Sequence, residues 1–292
     1  ISEVEFGFRY SKAKIVAITG TNGKTTTTLL IGHILKNSGY DVLVAGNIGI
    51  SFCMSLVDRD YKYIVLELSS FQLERVEHFR PNIAIILNIT ADHLDRYAFD
   101  FTLYKKTKYR ISKNQISSDV LIYNSDNINE NEIKTSAKKI PISLNKQIKE
   151  GGYINNNQII ININNTTMNI QDLALQGKHN LFNSMAAAVA ARVFEVKDSV
   201  IRQSMIDFQN IEHRLEHVLT VHGIDFINDS KATNINATWF ALESMNKNVV
   251  WIAGGVDKGN DYTKLNDLVK SKVKSIICLG SSNKNLINSF SN

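Results

Sequence analysis

Short, continuous apolar runs alternate along this chain with stretches whose apolar positions recur every three or four residues. Residues 14–19, Lys-Ile-Val-Ala-Ile-Thr, form a β-branched run of the kind found in strands covered on both faces. It passes at once into Gly20-Thr21-Asn22-Gly23-Lys24-Thr25 and then into a periodic stretch that predicts a helix over 24–38, stopped by Gly39. A short strand over 42–45 follows and delivers Gly46-Asn47-Ile48-Gly49. Strand, loop, helix and strand in that order make a βαβ unit, so the sheet should be parallel with a right-handed crossover. Buried strands are also expected over 63–70, with Glu67 toward the far end, and over 83–89, opening into Thr90-Ala91-Asp92-His93-Leu94-Asp95-Arg96. Residues 105–112 read as a helix that carries Lys108, and residues 1–13 as a linker or an edge element.

From residue 120 to about 175 the texture changes to brief β-prone runs separated by Asn-rich turns, which predicts antiparallel structure appended to the parallel sheet. Gly177-Lys178-His179-Asn180-Leu181-Phe182-Asn183 should then cap an Ala-rich helix over 184–196, with Asn180 and Asn183 able to act as N-caps. Strands recur over 225–228, 248–253 and 275–279, with helices over 234–245 and 265–270 between them. The expected fold class is therefore α/β: a mostly parallel sheet over 1–212 with an antiparallel β portion, then a second, partial α/β domain over 213–292. That second domain is expected to be incomplete, and the start at Ile1 suggests a piece of something longer.

Composition narrows the picture. At 292 residues and 43% apolar, the chain is expected to be a soluble, cytoplasmic, globular protein without membrane insertion, since no run approaches the ~20 apolar residues of a span. Cys53 and Cys278 are far apart and are expected in the core of a protein from a reducing compartment. The net charge of +5 does not indicate nucleic acid, because the lysines are scattered among Asn and Ile rather than interleaved with aromatics.

The chemistry gathers where strands end. Gly20 and Gly23 let a backbone approach an anion, and the N–H groups that open the following helix point at it. Lys24 would reach the β and γ phosphates of a nucleotide and the Thr25 hydroxyl a Mg²⁺. The general phosphate-loop pattern wants a glycine where this chain has Ile18. In open α/β sheets ligands collect at the carboxyl ends of strands, so Glu67 should face the same crevice as Lys24 and serve the Mg²⁺.

Thr-Gly-Thr-Asn-Gly-Lys-Thr resembles the ATP loop of the Mur ligases and of their relative folylpolyglutamate synthase. The Mur resemblance extends over nearly the whole chain. It rests on Gly46-Asn47-Ile48-Gly49, Leu66-Glu67-Leu68-Ser69-Ser70-Phe71-Gln72, Asp92-His93, Lys108, Gly177-Lys178-His179-Asn180, His213-Arg214-Leu215-Glu216 and Asn228-Asp229-Ser230-Lys231-Ala232-Thr233-Asn234. It implies an ATP-dependent amide-bond-forming ligase, within the branch that adds D-glutamate to UDP-N-acetylmuramoyl-L-alanine through an acyl phosphate in peptidoglycan precursor synthesis. It implies three domains: residues 1–212 would be the P-loop-type ATPase domain and residues 213–292 part of a Rossmann-like C-terminal domain, with the N-terminal UDP-binding domain and the end of the C-terminal domain missing, so that this piece alone should be inactive.

By position in the family's motifs, Gly20, Thr21, Asn22, Gly23, Lys24, Thr25, Thr26, Asn180, Asn183, Arg214 and Asp229 would hold ATP. Asn47, Ser69, Ser70 and Gln72 would contact the UDP-linked substrate, and Lys231, Thr233 and Lys258 the glutamate. Lys24, Glu67, His93 and Lys108 would be catalytic; Thr25 and Glu67 would serve one Mg²⁺, His93 and a carbamylated Lys108 a second. Carbamylation needs a neutral amine, which neighbouring Lys105, Lys106 and bound cations would favour. The segment Gly254-Gly255-Val256-Asp257-Lys258 departs from the family pattern in the placement of its acid. A monomer is expected. Two alternatives stay open: a folylpolyglutamate synthase-like ligase, against which residues 228–234 argue, and a non-catalytic nucleotide-binding module, against which His93 and Lys108 argue.

Overall fold

The computed structural model describes residues 1–156, 158–163, 166–170, 173–175, 177–208, 215–255, 260–280 and 283–290. It divides into two compact units, Ile1–Gln209 and Asn210–Asn292.

The first unit opens with α1 (Glu3–Tyr10), where a linker or edge was expected. Ser2 caps it, and the Glu5 carboxylate, fully buried, accepts the backbone N–H groups of Glu77, His78 and Phe79. The βαβ expectation holds in β1 (Lys14–Thr19), α2 (Lys24–Asn37) and β2 (Val42–Gly46). Next come α3 (Phe52–Asp58), β3 (Tyr63–Glu67), the single turn α4 (Ser70–Leu73), β4 (Ile83–Ile86) and α5 (Phe101–Tyr109). The remaining strands are β5 (Val120–Asn124), β6 (Lys138–Ser143), β7 (Gly151–Asn155), β8 (Gln158–Ile163) and β9 (Thr166–Ile170). The unit closes with α6 (Lys178–Val193) and α7 (Asp198–Asp207).

These strands form one sheet in the order β2-β3-β1-β4-β5-β6-β7-β8-β9. Neighbours from β2 through β7 run parallel, and β7, β8 and β9 pair antiparallel. The antiparallel portion thus begins at β7 rather than at residue 120. β6 escaped the pattern because Lys138, Lys139 and Pro141 interrupt its apolar positions. Ile15, Ala17, Ile64, Leu66, Ala84 and Ile86 share a buried cluster with Val4, Phe52, Leu73 and Tyr104 on one face. The alternate residues Val16, Ile18, Val65 and Ile85 are equally buried on the face that carries α2 and α6. Coverage of both faces is why these strands read as continuous apolar runs.

The second unit contains an antiparallel hairpin of β10 (Glu216–Val221) and β11 (Ile224–Asn228), then α8 (Ile235–Ser244), which Asn234 caps. β12 (Val249–Gly254) lies parallel to β13 (Val273–Leu279) with α9 (Asn266–Lys272) between them in sequence, and α10 (Lys284–Phe290) follows. Cys53 and Cys278 are only half-buried, so neither is the core residue expected. Among the described residues, no helix is long and apolar enough to cross a membrane.

Candidate active site

Register brings the chemistry together. Ile18 on β1 and Gly46 on β2 both stand opposite Glu67 on β3, while Thr19 stands opposite Ile86 on β4. Four strands therefore end side by side, and the segments leaving their carboxyl ends lie along one edge. The phosphate loop leaves β1 through Gly20, at φ +154°, and enters α2 through Gly23, at φ +83°, backbone that side chains with a Cβ rarely adopt. Ile18, where a glycine would complete the general motif, is a fully buried strand residue. The bend here starts two residues later, at Gly20.

Glu67 is 2% exposed. Its Oε2 accepts the Thr25 hydroxyl at 2.7 Å and its Oε1 accepts Asn47 Nδ2 at 2.9 Å, while the Asn47 backbone N–H bonds the Glu67 carbonyl. A buried carboxylate is thus held by neutral donors beside the N-terminus of α2. Lys24 Nζ turns back onto the carbonyls of Gly20 and Thr21, at 3.0 and 2.9 Å.

Lys108, on α5, is 1% exposed and donates to the same Gly20 carbonyl at 2.9 Å, with its Nζ 4.8 Å from the centre of the Tyr104 ring. Burial pushes this amine well below the ordinary lysine range. Lys24 adds to the effect, while Asp92 and Glu67 oppose it. Lys105 and Lys106 are not the cause expected; Lys105 is paired with Glu132 at 2.6 Å.

His93 stands beyond the strand rather than at its end, because β4 stops at Ile86. It takes the left-handed conformation, φ +50°, at the start of a 3₁₀ turn, its N–H bonds Asp92 Oδ1 at 2.9 Å, and its ring makes a T-shaped contact with that of Phe71. Non-glycine residues held in this region often mark functional sites. No cluster of three or more His, Cys, Asp or Glu side chains suited to a cation occurs among the described residues. A Mg²⁺ does not require one: two oxygen donors such as Thr25 and Glu67 fit a hard cation that keeps waters and phosphate oxygens as its other ligands. A Lys108 ammonium does not fit a cation, whereas a carbamate on the same nitrogen would present anionic oxygens.

The other expected residues divide by position. Ser69 and Gln72 form a capping box on α4: Ser69 Oγ accepts the Gln72 N–H at 3.3 Å and Gln72 Oε1 accepts the Ser69 N–H at 3.0 Å. Ser70 is buried in the same turn. Asn180 and Asn183 are not N-caps, since α6 begins six residues earlier than expected and Gly177 stands at its cap. Asn183 is 3% exposed, takes Asn180 Oδ1 as the acceptor for its Nδ2, and packs so closely on Gly23 that a Cβ there would overlap it. Thr26 is buried in the first turn of α2. Asp229, Lys231 and Thr233 belong to the second unit, in the turn between β11 and α8, where Asp229 accepts the Leu215 and Ala232 N–H groups through Oδ1 and its carbonyl. Arg214 and Lys258 lie outside the described residues. Sequence reasoning missed Asn88, which bonds the phosphate loop; a polar amide interrupting the apolar run over 83–89 was the signal.

A loop of this kind at the carboxyl edge of a parallel sheet, with a strand-end carboxylate bonded to the first turn of the helix that follows the loop, receives nucleotide phosphates, and so defines a P-loop-type ATP-binding domain. The Mur ligase middle domain model matches residues 18–191, and the chain belongs to the Mur ligase family. A UDP-N-acetylmuramoylalanine--D-glutamate ligase of Christiangramia forsetii is 47% identical over 100% of this chain and 67% of its own length. One from Bacteroides fragilis is 46% identical over 98% of this chain and 66% of its own. The chain thus spans about two thirds of the length of the curated relatives it matches. Among solved structures, MurF from Acinetobacter baumannii is similar with TM-score 0.76 at 20% identity, covering 95% of this chain and 66% of that one. MurF ligase from Thermotoga maritima in complex with ADP gives 0.72 at 15% identity, covering 99% and 75%.

Proposed function

We propose that this chain supplies the ATP-binding domain, residues 1–212, and the first part of the C-terminal domain, residues 213–292, of a monomeric cytoplasmic enzyme that joins D-glutamate to UDP-N-acetylmuramoyl-L-alanine. The names of the curated relatives support this substrate pair over a folate, and a family of ligases supports it over a non-catalytic module. The reaction transfers the γ-phosphoryl group of ATP to the alanyl carboxylate. The glutamate amine then attacks the acyl phosphate carbon, phosphate leaves with the C–O bond electrons, and the amine loses a proton.

Such chemistry places two demands on the site: charge on the migrating phosphoryl group must be offset, and two anionic substrates must be held together. The amides opening α2 and the Lys24 ammonium meet the phosphates. Mg²⁺, when bound at Thr25 and Glu67, neutralises phosphate charge, and a second Mg²⁺ would need His93 and a carbamylated Lys108. Asn47, Ser69, Ser70 and Gln72 face the UDP-linked substrate in this reading. Asn180, Asn183, Arg214 and Asp229 serve the nucleotide, and Lys231, Thr233 and Lys258 the glutamate.

One observation carries the proposal: a buried carboxylate, Glu67, hydrogen-bonded to the hydroxyl of the phosphate-loop threonine Thr25. Calorimetric titration of the chain with ADP and Mg²⁺ tests the nucleotide part. Lys24→Ala should weaken binding at least about tenfold, because a charge-assisted contact to phosphate is lost. Unchanged affinity in that variant overturns the assignment.

A further inference from the structure

The segment after β4 runs beside the phosphate loop, and hydrogen bonds continue the β1–β4 ladder past the ends of both strands. Leu87 N–H bonds the Thr19 carbonyl at 3.0 Å and Thr21 N–H bonds the Asn88 carbonyl at 2.9 Å. Beyond that point side chains take over from backbone. Asn88 Oδ1 accepts the Asn22 N–H at 2.9 Å and Asn88 Nδ2 donates to the Asn22 carbonyl at 2.9 Å, so its carboxamide stands in for one more peptide of the ladder. The Thr21 hydroxyl completes the reciprocal arrangement: it donates to the Thr90 carbonyl at 3.0 Å and accepts the Thr90 N–H at 3.0 Å. Tyr104 Oη lies 3.2 Å from the same oxygen. A hydroxyl has one proton and two lone pairs, so with the proton on Thr90 the Tyr104 O–H must be the donor.

This network decides which part of the loop can receive an anion. The N–H groups of Thr21 and Asn22 are directed at Asn88, and the Thr21 hydroxyl is fully used within the protein. The phosphate-binding amides must then come from the following residues, 23–26, where a helix N-terminus lacks intrahelical acceptors. Gly20 makes the close approach possible, since a Cβ on it would stand 3.1 Å from Leu87 Cβ and 3.3 Å from the Asn88 backbone.

We propose that Asn88 is a positioning residue of the nucleotide site: with Thr21 it clamps the first half of the phosphate loop in a fixed bend, so that residues 23–26 meet the β and γ phosphates without reorganisation. The proposal rests on the nucleotide-binding reading above and gives Thr21 a loop-shaping role in place of a direct contact. It makes a distinction that a merely structural asparagine would not. A clamp on the β/γ-phosphate cradle matters to a ligand in proportion to the phosphates it places there.

The test compares ADP with AMP on the whole chain, by calorimetry, in the parent, Asn88→Ala and Lys24→Ala. In Asn88→Ala, ADP affinity should fall about tenfold while AMP affinity changes less than about twofold, the loss expected of one pre-organising interaction. If Asn88→Ala does not fold, Asn88→Asp serves: it keeps an acceptor for the Asn22 N–H but sets an oxygen against the Asn22 carbonyl, and the same selective loss of ADP is expected. Equal losses for ADP and AMP, or no loss for either, overturn the clamp. Should Lys24→Ala leave ADP affinity intact, the nucleotide assignment itself falls instead.

Discussion

Replacing Glu67 by Gln separates what this residue does for the fold from the cation role proposed for it. In the parent, Oε2 accepts the Thr25 hydroxyl at 2.7 Å and Oε1 accepts Asn47 Nδ2 at 2.9 Å. A glutamine of the same shape can keep its oxygen toward Asn47 and turn its amide toward Thr25, whose hydroxyl then accepts instead of donating. Both hydrogen bonds survive, so unfolding free energy should change by no more than about 1 kcal/mol. The cation loses a full negative charge from a position that is 2% exposed and poorly screened. Interactions with a charged group are worth roughly 1.5–3 kcal/mol in such settings, or about ten- to more than a hundredfold in affinity. The assay is a Mg²⁺ titration at fixed ADP, repeated with excess chelator. Without Mg²⁺, Glu67→Gln should bind ADP at least as tightly as the parent, because the carboxylate no longer repels the phosphates, and the order should reverse as Mg²⁺ is added. Equal Mg²⁺ half-saturation in a variant that melts like the parent would refute the cation role.

Lys108 should form a carbamate, because burial lowers its pKa and raises the neutral fraction that reacts with CO₂ near neutral pH. Labelled bicarbonate should give a carbamate ¹³C signal that disappears in Lys108→Ala while ADP affinity stays within about threefold; a signal that persists in the variant assigns it elsewhere. Glu5→Gln should destabilise the first unit by about 2 kcal/mol at pH 7, since three backbone N–H groups and Arg9 lose a charged acceptor. The Glu5 carboxyl is pushed up by burial, but the hydrogen bonds to Glu77, Phe79, His78 and Arg9 outweigh this and hold it below its ordinary value of 4.5. Its stabilisation is therefore present above about pH 4.5 and is lost as pH falls through the lower folded value. Urea unfolding should show the gap between parent and variant closing below pH 4.5; a gap constant with pH would disprove the charged anchor.

The central architecture was readable because periodicity and local chemistry agree in it. β1, the glycine-flanked loop, α2 and β2 each carry their own signal, and β3 lies where the apolar run predicted it but stops at Glu67, three residues short of the expected 63–70, because Ser69 caps the turn α4. Elsewhere the signal was weak or was masked by side chains acting on backbone. α1 is short, and its reason for being ordered, the burial of Glu5 against residues 77–79, lies far away in sequence. β6 lacks apolar continuity, and whether β5 and β6 run parallel depends on how the chain returns, which the composition of a strand does not state. Asn180 and Asn183 sit in motif positions that suit a cap, yet the helix begins at Lys178 and uses Asn183 to wall the phosphate loop at Gly23.

The candidate site shows the same division at finer scale. Residue types announced the phosphate loop, the strand-end acid and the helix lysine. The reason they meet is register: Glu67 reaches Thr25 because β3 is paired so that Glu67 stands level with Ile18, and Asn47 reaches Glu67 because Gly46 stands level with it on the other side. A slip of one residue in either pairing would turn Glu67 to the other face of the sheet, away from α2. The covered apolar faces that make these strands look uniform in sequence therefore also set the position of the one carboxylate that interrupts them. Asn88 follows from the same geometry: where β4 ends and its backbone can no longer pair with the loop, a carboxamide of peptide-like donor and acceptor pattern extends the ladder, and that role is visible only once the loop lies beside it.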